Sequence, residues 1–159
     1  MSNKQKTIAK PATVKGSGLH TGQNGQLTFK PAPANHGIKF KRIDIESKPV
    51  IAADIKHVIS TDRGTTIAQN GTSIYTIEHV LAALMGLGID NVLIELDVEE
   101  IPIKDGSSRY FVEALIDSGL KELSEDRQFI EITEPVEFKI PEKEVFLKIE
   151  PADHFSIDV

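Results

Sequence analysis

The chain has 159 residues, of which 40% are hydrophobic and 26% charged, and its formal net charge is −6, which argues against non-specific nucleic-acid binding. It contains no cysteine, which excludes disulfides and cysteine-ligated metals and is compatible with a reducing cytoplasm. The start, MSNKQKTIAK, lacks the apolar core of a secretory signal, and the uncharged run 80–89 is too short to cross a bilayer, so no transmembrane segment is predicted.

The first seventy residues favour β-structure. Short segments with partial apolar alternation predict strands at TIAKPATVKG, GQLTFKPA and GIKFKR. VIAADIKHVI predicts either one further strand or a strand followed by a turn. TTIAQNGTSIY predicts a hairpin, because Asn70-Gly71 between two β-prone runs suits a type I′ turn.

The middle of the chain predicts two helices around a buried strand. YTIEHVLAALMGLGIDN predicts a helix from about Thr76 to Leu87, ended by the glycines that follow. DNVLIELDV predicts a buried strand, and a second helix is expected over about 108–118, capped by Asp105 or Ser107. KELSEDR, residues 121–127, is interpreted as a charged linker.

The N-terminal pattern then recurs. TIAKPATVKG is matched by IEITEPVEFK and GQLTFKPA by VFLKIEPA, so that Pro11 corresponds to Pro135 and Pro31 to Pro151. An internal duplication is one explanation, and chance similarity between β-rich segments is the other. Under duplication, residues 1–126 form a first domain and residues 127–159 the incomplete start of a similar one. Residues 127–159 are then expected to be disordered, to self-associate with another copy, or to lean on the first domain.

Glu78 and His79 stand side by side at the start of the first predicted helix. On a helical projection they share a face with Ala82, Ala83 and Gly86, where small residues indicate that another group approaches closely. One interpretation is structural: Thr76 as N-cap, Glu78 complementing the helix dipole, and His79 satisfied in the core. The other is half of a catalytic site, although one histidine cannot hold a catalytic zinc, which typically has three protein ligands.

Two further residues belong to motifs with alternative interpretations. His20 lies in KGSGLHTGQNG, which is either a flexible β-turn region or a loop that brings backbone close to a ligand. Asp105 in KDGSS is first a turn or capping residue and second a functional acid.

Four segments together resemble a known family: GSGLHTG, LTFKPAPANHGIKFKR, TIEHVLAALMGLGIDNVLIEL and EIPIKDGSSRYFVEAL. They are similar to the zinc-dependent UDP-3-O-acyl-N-acetylglucosamine deacetylases of lipid A biosynthesis. The resemblance covers essentially the whole chain, in order. It implies an α+β fold, a two-layer sandwich of a small mixed sheet packed on two helices, with a truncated second copy of the same unit.

The resemblance also implies a hydrolase that releases acetate from a UDP-linked acylated glucosamine, with Zn²⁺ as cofactor. By matching motif, His79 corresponds to a zinc ligand and Glu78 to the general base, while His20 and Asp105 match positions with supporting roles. Zinc would lower the pKa of its water and polarise the amide carbonyl.

The family's other zinc ligands, an H-x-x-x-D helix motif, and its general acid lie in the second domain. This chain is expected to supply none of them, because an H-x-x-x-D motif is expected at none of its five histidines. We therefore expect the isolated chain to be inactive and to bind zinc weakly if at all. The alternative is a metal-free binding or assembly module in which Glu78 and His79 are only a helix-start feature.

Overall fold

A computed structural model describes residues 3–159 and shows an α+β protein with mixed sheets and two α-helices. The helices are α1, Glu78–Leu87, and α2, Arg109–Asp117. The strands in chain order are β1 Lys4–Ile8, β2 Ala12–Ser17, β3 Asn24–Pro31, β4 Ile38–Arg42, β5 Val50–Ala52, β6 Val58–Ser60, β7 Thr66–Gln69, β8 Thr72–Ile74, β9 Val92–Leu96, β10 Leu120–Asp126, β11 Val136–Ile140 and β12 Val145–Ile149. The α+β class predicted from the sequence is confirmed.

The central element is a five-stranded mixed sheet in the order β2-β3-β9-β4-β5. Strand β9 pairs antiparallel with β3, Leu27 opposite Leu96, and parallel with β4, Ile38 opposite Val92. Its alternate residues Val92, Ile94 and Leu96 are completely buried. The predicted buried strand is therefore confirmed as the middle of the sheet.

Helix α2 packs on this sheet through aromatic and aliphatic side chains. The ring of Phe111 meets that of Phe29 edge to face, with centroids 6.4 Å apart, and Leu115 is buried one turn further on. From α1, Val80 and Leu84 join the same hydrophobic cluster. Residues of the sheet and of both helices therefore share one hydrophobic core.

Residues 121–127 do not form a linker. Strand β10 pairs antiparallel with β1, with Ile8 opposite Leu120 and Lys4 opposite Asp126. The prediction was wrong because the charged side chains show only that this segment is exposed. The segment is a strand because its backbone hydrogen-bonds to β1, and the side-chain pattern does not encode that pairing.

Short turns agree more closely with the sequence. VIAADIKHVI divides into β5, a 3-10 turn at Ile55–His57, and β6. Hairpin β7–β8 turns at Asn70 and Gly71, whose φ values of 50° and 78° are both positive, as a type I′ turn requires. The predicted hairpin is confirmed. Neither α-helix found in residues 3–159 has the length and hydrophobicity of a membrane-spanning helix.

Contacts divide the described chain into two compact units, residues 3–127 and 128–159. The second unit contains the antiparallel hairpin β11–β12, in which Val136 lies opposite Ile149 and Ile140 opposite Val145. Its apolar side chains Phe138, Phe146 and Leu147 are exposed within the unit's described surface.

Truncating Phe111 should destabilise the first unit strongly. Phe111→Ala removes a fully buried ring and leaves a cavity against Phe29, a change that costs about 3–5 kcal/mol in protein cores. Urea denaturation followed by far-ultraviolet circular dichroism measures the loss. Phe146→Ala, at an exposed position, is the matched control and should change the free energy of unfolding by less than about 0.5 kcal/mol. Equal losses in both variants would contradict this description of the core.

Candidate functional site

Helix α1 starts two residues later than predicted, and Thr76 is not its N-cap. Helix α1 begins at Glu78, its N-cap position is Ile77, and no side chain caps it. Thr76 instead has a left-handed backbone with φ of 61°, which is uncommon for a β-branched residue. The backbone therefore turns sharply at Thr76 between hairpin β7–β8 and α1.

Glu78 and His79 lie together and half-exposed at the start of α1. Oε2 of Glu78 accepts a hydrogen bond of 2.8 Å from the backbone N–H of Thr65, whereas Oε1 lies 3.7 Å from Nε2 of His79. Their side chains are 38% and 31% exposed, respectively. One carboxylate oxygen is thus held by the backbone while the other faces the imidazole.

The helix face behind this pair differs in one position from the helical projection. Ala83 is buried in the core, whereas Ala82, Gly86 and the neighbouring Met85, which is 83% exposed, are not. A Cβ added at Gly86 would meet nothing within 4 Å among the described residues, so the close approach of another group that the small residues indicated is not found there. The exposed face of α1 therefore runs from Glu78 through Ala82 to Met85 and Gly86.

An open cleft of about 280 Å³ lies beside the pair. A methyl group added to Gly64, one of its lining residues, would stand 3.3 Å from Oε1 of Glu78. His20 reaches the same cleft from the β2–β3 loop, and its Nε2 lies 2.9 Å from the backbone carbonyl oxygen of Arg63. The cleft is lined by His20, Asp62, Arg63, Gly64, Thr66, Tyr75 and Thr76. The structure therefore brings His20 to the cleft that Glu78 adjoins.

Asp105 has a local role in the structure. Its carboxylate accepts hydrogen bonds from the backbone N–H and the hydroxyl of Ser107, at 3.0 and 2.8 Å, which forms a turn immediately before α2. These bonds hold the pKa of Asp105 below its ordinary value. Among residues 3–159, no hydrogen bond or ion pair joins Asp105 to Glu78, His79 or His20. The turn that was predicted for KDGSS is confirmed. The predicted cap is wrong, because the N-cap position of α2 is Ser108, not Asp105 or Ser107, and no side chain caps the helix there.

Sequence reasoning missed Glu100, the buried acid of this region. Glu100 is only 1% exposed, and its carboxylate accepts hydrogen bonds from the N–H of His20, from the N–H and hydroxyl of Thr21, and from the hydroxyl of Thr76. Burial alone would raise its pKa, but the hydrogen bonds from Thr21, His20 and Thr76 offset this and hold the pKa below its ordinary value. In sequence Glu100 follows Glu99 and is one of several nearby acids, and only the fold distinguishes it.

The described residues do not by themselves fit a catalytic zinc ion. No group of three or more histidine, aspartate or glutamate side chains in residues 3–159 is arranged to hold a metal. Contrary to the expectation that no H-x-x-x-D motif would be present, His154 and Asp158 have this spacing. However, residues 150–159 contain no helix, so the pair is not presented on one helical face as the motif requires.

A carboxylate and an imidazole beside an open cleft of an α+β protein are the groups used in general acid–base chemistry, and they define a candidate hydrolytic site. The family model of UDP-3-O-acyl N-acetylglycosamine deacetylase matches residues 5–159. The chain belongs to this family, which confirms the resemblance seen in the sequence motifs.

Individual relatives agree with the family assignment. A UDP-3-O-acyl-N-acetylglucosamine deacetylase of Psychrobacter sp. (strain PRwf-1) is 45% identical over 98% of this chain and 52% of its own length. A bifunctional enzyme LpxC/FabZ of Chlorobaculum tepidum is 46% identical over 98% of the chain and 33% of its own length. A deacetylase of Bdellovibrio bacteriovorus is 45% identical over 90% of the chain and 47% of its own length. The chain thus spans about half the length, or less, of these relatives.

Acid should destabilise the fold through three carboxylates. The pKa of Asp44 is lowered by its hydrogen bond with Arg42, and that of Glu95 is lowered, despite burial, by Lys30 and Lys41; Glu100 behaves similarly. A carboxyl whose pKa is depressed in the folded state stabilises above its unfolded value and loses that contribution as pH falls through the folded value. The free energy of unfolding should therefore hold steady from neutrality to about pH 5 and decline progressively below it. Urea titrations across this range test the trend, and a constant or rising stability in acid would contradict it.

Proposed function

We propose that this chain forms the Glu78/His79 part of a deacetylase that acts on UDP-3-O-acyl-N-acetylglucosamine in lipid A biosynthesis. The observation that carries the proposal is the arrangement of Glu78, with one oxygen fixed by Thr65 and the other facing His79 beside an open cleft, in a member of the deacetylase family. The reaction is hydrolysis: the oxygen of water adds to the acetamide carbonyl, the carbon–nitrogen bond breaks, and acetate and the free amine are released.

Glu78 is proposed as the general base. A carboxylate that accepts a proton from the attacking water needs a defined position and access to solvent. The hydrogen bond from Thr65 supplies the position, and the half-exposed side chain supplies the access.

His79 is proposed as one ligand of a zinc ion whose remaining ligands come from residues outside these 159. A single imidazole falls short of the three protein ligands that catalytic zinc typically has. His20 is proposed to support the site from the cleft wall, since its ring already occupies that wall. A supporting role in the site is less well supported for Asp105, because its carboxylate accepts hydrogen bonds from Ser107 in the turn before α2.

The two-domain organisation, residues 1–126 and 127–159, is also a proposal. The sequence repeat aligns β2 with β11 at an offset of 124 residues and β3 with β12 at an offset of 120. With these offsets, the cross-strand pair Ala12–Phe29 corresponds to the pair Val136–Ile149, and Gly16–Gly25 corresponds to Ile140–Val145. Hairpin β11–β12 thus repeats the register of β2–β3 with a shorter loop. This repetition supports the start of a second copy in residues 127–159. The hydrophobic cluster shared by the sheet and both helices supports the two-layer unit proposed for the first domain.

The alternative function is a metal-free binding or assembly module that self-associates through residues 127–159. In that case Glu78 and His79 serve only the start of the helix and have no need for an adjoining cleft. Glu78 accepts its hydrogen bond from Thr65, in another segment, and both side chains remain half-exposed. The geometry therefore favours the enzyme over the binding module.

The isolated chain should lack turnover and stoichiometric zinc. We expect a longer protein that continues past Val159 to deacetylate UDP-3-O-acyl-N-acetylglucosamine and to retain about one zinc per chain, because only there can the ligand set reach three. Acetate release and metal analysis on both proteins, purified alike, test this. Turnover or tight zinc in the 159-residue chain would overturn the proposed division of the site.

Replacing the proposed base should impair chemistry selectively. In the longer protein, Glu78→Gln keeps the acceptor for Thr65 but removes the basic oxygen, and kcat should fall by about 10²–10⁴-fold, the usual contribution of general acid–base catalysis. Zinc content should remain unchanged. Glu113→Gln on the exposed face of α2 is the matched control and should retain the parental kcat. A Glu78→Gln variant with parental kcat would refute the assignment.

A further inference from the structure

The buried carboxylate of Glu100 is held only by neutral donors. Its Oε1 accepts from the N–H of His20 at 2.9 Å and the hydroxyl of Thr76 at 3.2 Å, and its Oε2 accepts from the N–H and hydroxyl of Thr21, both at 2.7 Å. Within the described residues it forms no ion pair with a lysine or arginine. Burying a carboxylate is costly unless hydrogen bonds replace its hydration, and here four do so.

The β2–β3 loop is wrapped around this carboxylate. The loop closes on itself through hydrogen bonds from Gly18 N–H to Gln23 C=O and from Gly22 N–H to Gly18 C=O. A Cβ added to Gly18 would stand only 2.7 Å from Cδ of Glu100, so the loop backbone lies directly against the acid. Glu100 therefore takes the place that a loop side chain would otherwise occupy.

The fourth donor belongs to the segment that starts α1. Thr76 is buried with a left-handed backbone, a conformation that persists in a β-branched residue only when surrounding contacts hold it. Its hydroxyl bonds Glu100, the backbone of the preceding Tyr75 pairs with residues 99 and 101, and Ile77 N–H bonds Thr65 C=O. Glu78 follows two residues later, so these contacts set where α1 begins.

We propose that Glu100 is a positioning residue of this site: its carboxylate fixes the loop that carries His20 against the turn that presents Glu78 and His79. Among the described residues, Glu100 forms no hydrogen bond with Glu78 or with the imidazole ring of His20, and it acts through Thr21, Thr76 and the loop backbone. The catalytic meaning of this positioning rests on the proposed function, whereas the positioning itself does not.

The test uses the metal-free 159-residue chain and nuclear magnetic resonance. Glu100→Gln keeps the size of the side chain but loses its charge and one acceptor oxygen. We expect amide hydrogen exchange at His20 and Thr21 to accelerate by roughly tenfold or more, because hydrogen bonds to a charged acceptor are among the stronger ones. The imidazole signals of His20 should shift, while amides of the β3–β9 pairing keep parental exchange. Glu99→Gln, the adjacent acid, is the matched control and should change none of these signals.

A second pair of variants separates positioning from general stability. Thr21→Val keeps the shape and the charged Glu100 but removes the hydroxyl that donates to Glu100 and accepts from the N–H of Gln23. It should accelerate exchange at His20, whose N–H bonds Glu100 and not Thr21, whereas Thr21→Ser retains the hydroxyl and should show parental exchange. If Glu100→Gln fails to fold, this pair decides. Parental exchange at His20 and Thr21 in Glu100→Gln, or in Thr21→Val, would overturn the proposal. Because no metal or substrate is present, these results stand whether or not the deacetylase assignment survives.

Discussion

The placement of β9 in the middle of the sheet determines where the candidate site forms. Two parallel strands that pair need a long crossover connection between them. The chain between the parallel strands β4 and β9 contains hairpin β7–β8 and all of α1. Glu78 and His79 thus arrive as part of this connection. The chain that leaves β9 then passes Tyr75, whose N–H bonds Glu99 C=O, and this brings Glu100 under the turn that starts the helix. The parallel pairing of β4 with β9 and the bond between Tyr75 and Glu99 therefore place both acids of the region.

These two acids have opposite surroundings. Glu100 is buried and both of its oxygens accept two hydrogen bonds each, so its charge is used to hold backbone. Glu78 is half-exposed and has one oxygen bonded to Thr65 while the other faces His79. A carboxylate that must exchange protons with a substrate or water needs the second kind of environment, and a carboxylate that must keep a loop in place needs the first. The surroundings of Glu100 therefore suit the positioning role proposed for it, and those of Glu78 suit the proposed general base.

Local chemistry made part of this arrangement predictable. Asn70 and Gly71 tolerate positive φ, so the hairpin that precedes the site could be placed from two residues. The alternation in β9 similarly indicated burial. Thr76 could not be assigned this way, because a left-handed backbone is uncommon for threonine. The contacts that surround it come from elsewhere in the chain: its hydroxyl bonds Glu100, and the N–H of the following Ile77 bonds the carbonyl oxygen of Thr65. The prediction of a linker at β10 was wrong for a related reason. This segment forms a strand because it pairs with β1, which lies more than a hundred residues away in the chain.

The two hairpins show how much of a strand's environment is contributed by its neighbours. Leu27 and Phe29 of β3 are fully buried, whereas their register equivalents in β12, Leu147 and Ile149, are 61% and 45% exposed within the described residues. Both pairs are apolar and occupy the same positions in hairpins of the same register. The difference is that β3 pairs with β9 and packs on α2 through Phe111, while residues 128–159 include no α-helix. Strand sequence thus determines the register and the apolar face, and burial of that face depends on a helix and a neighbouring strand from elsewhere in the fold.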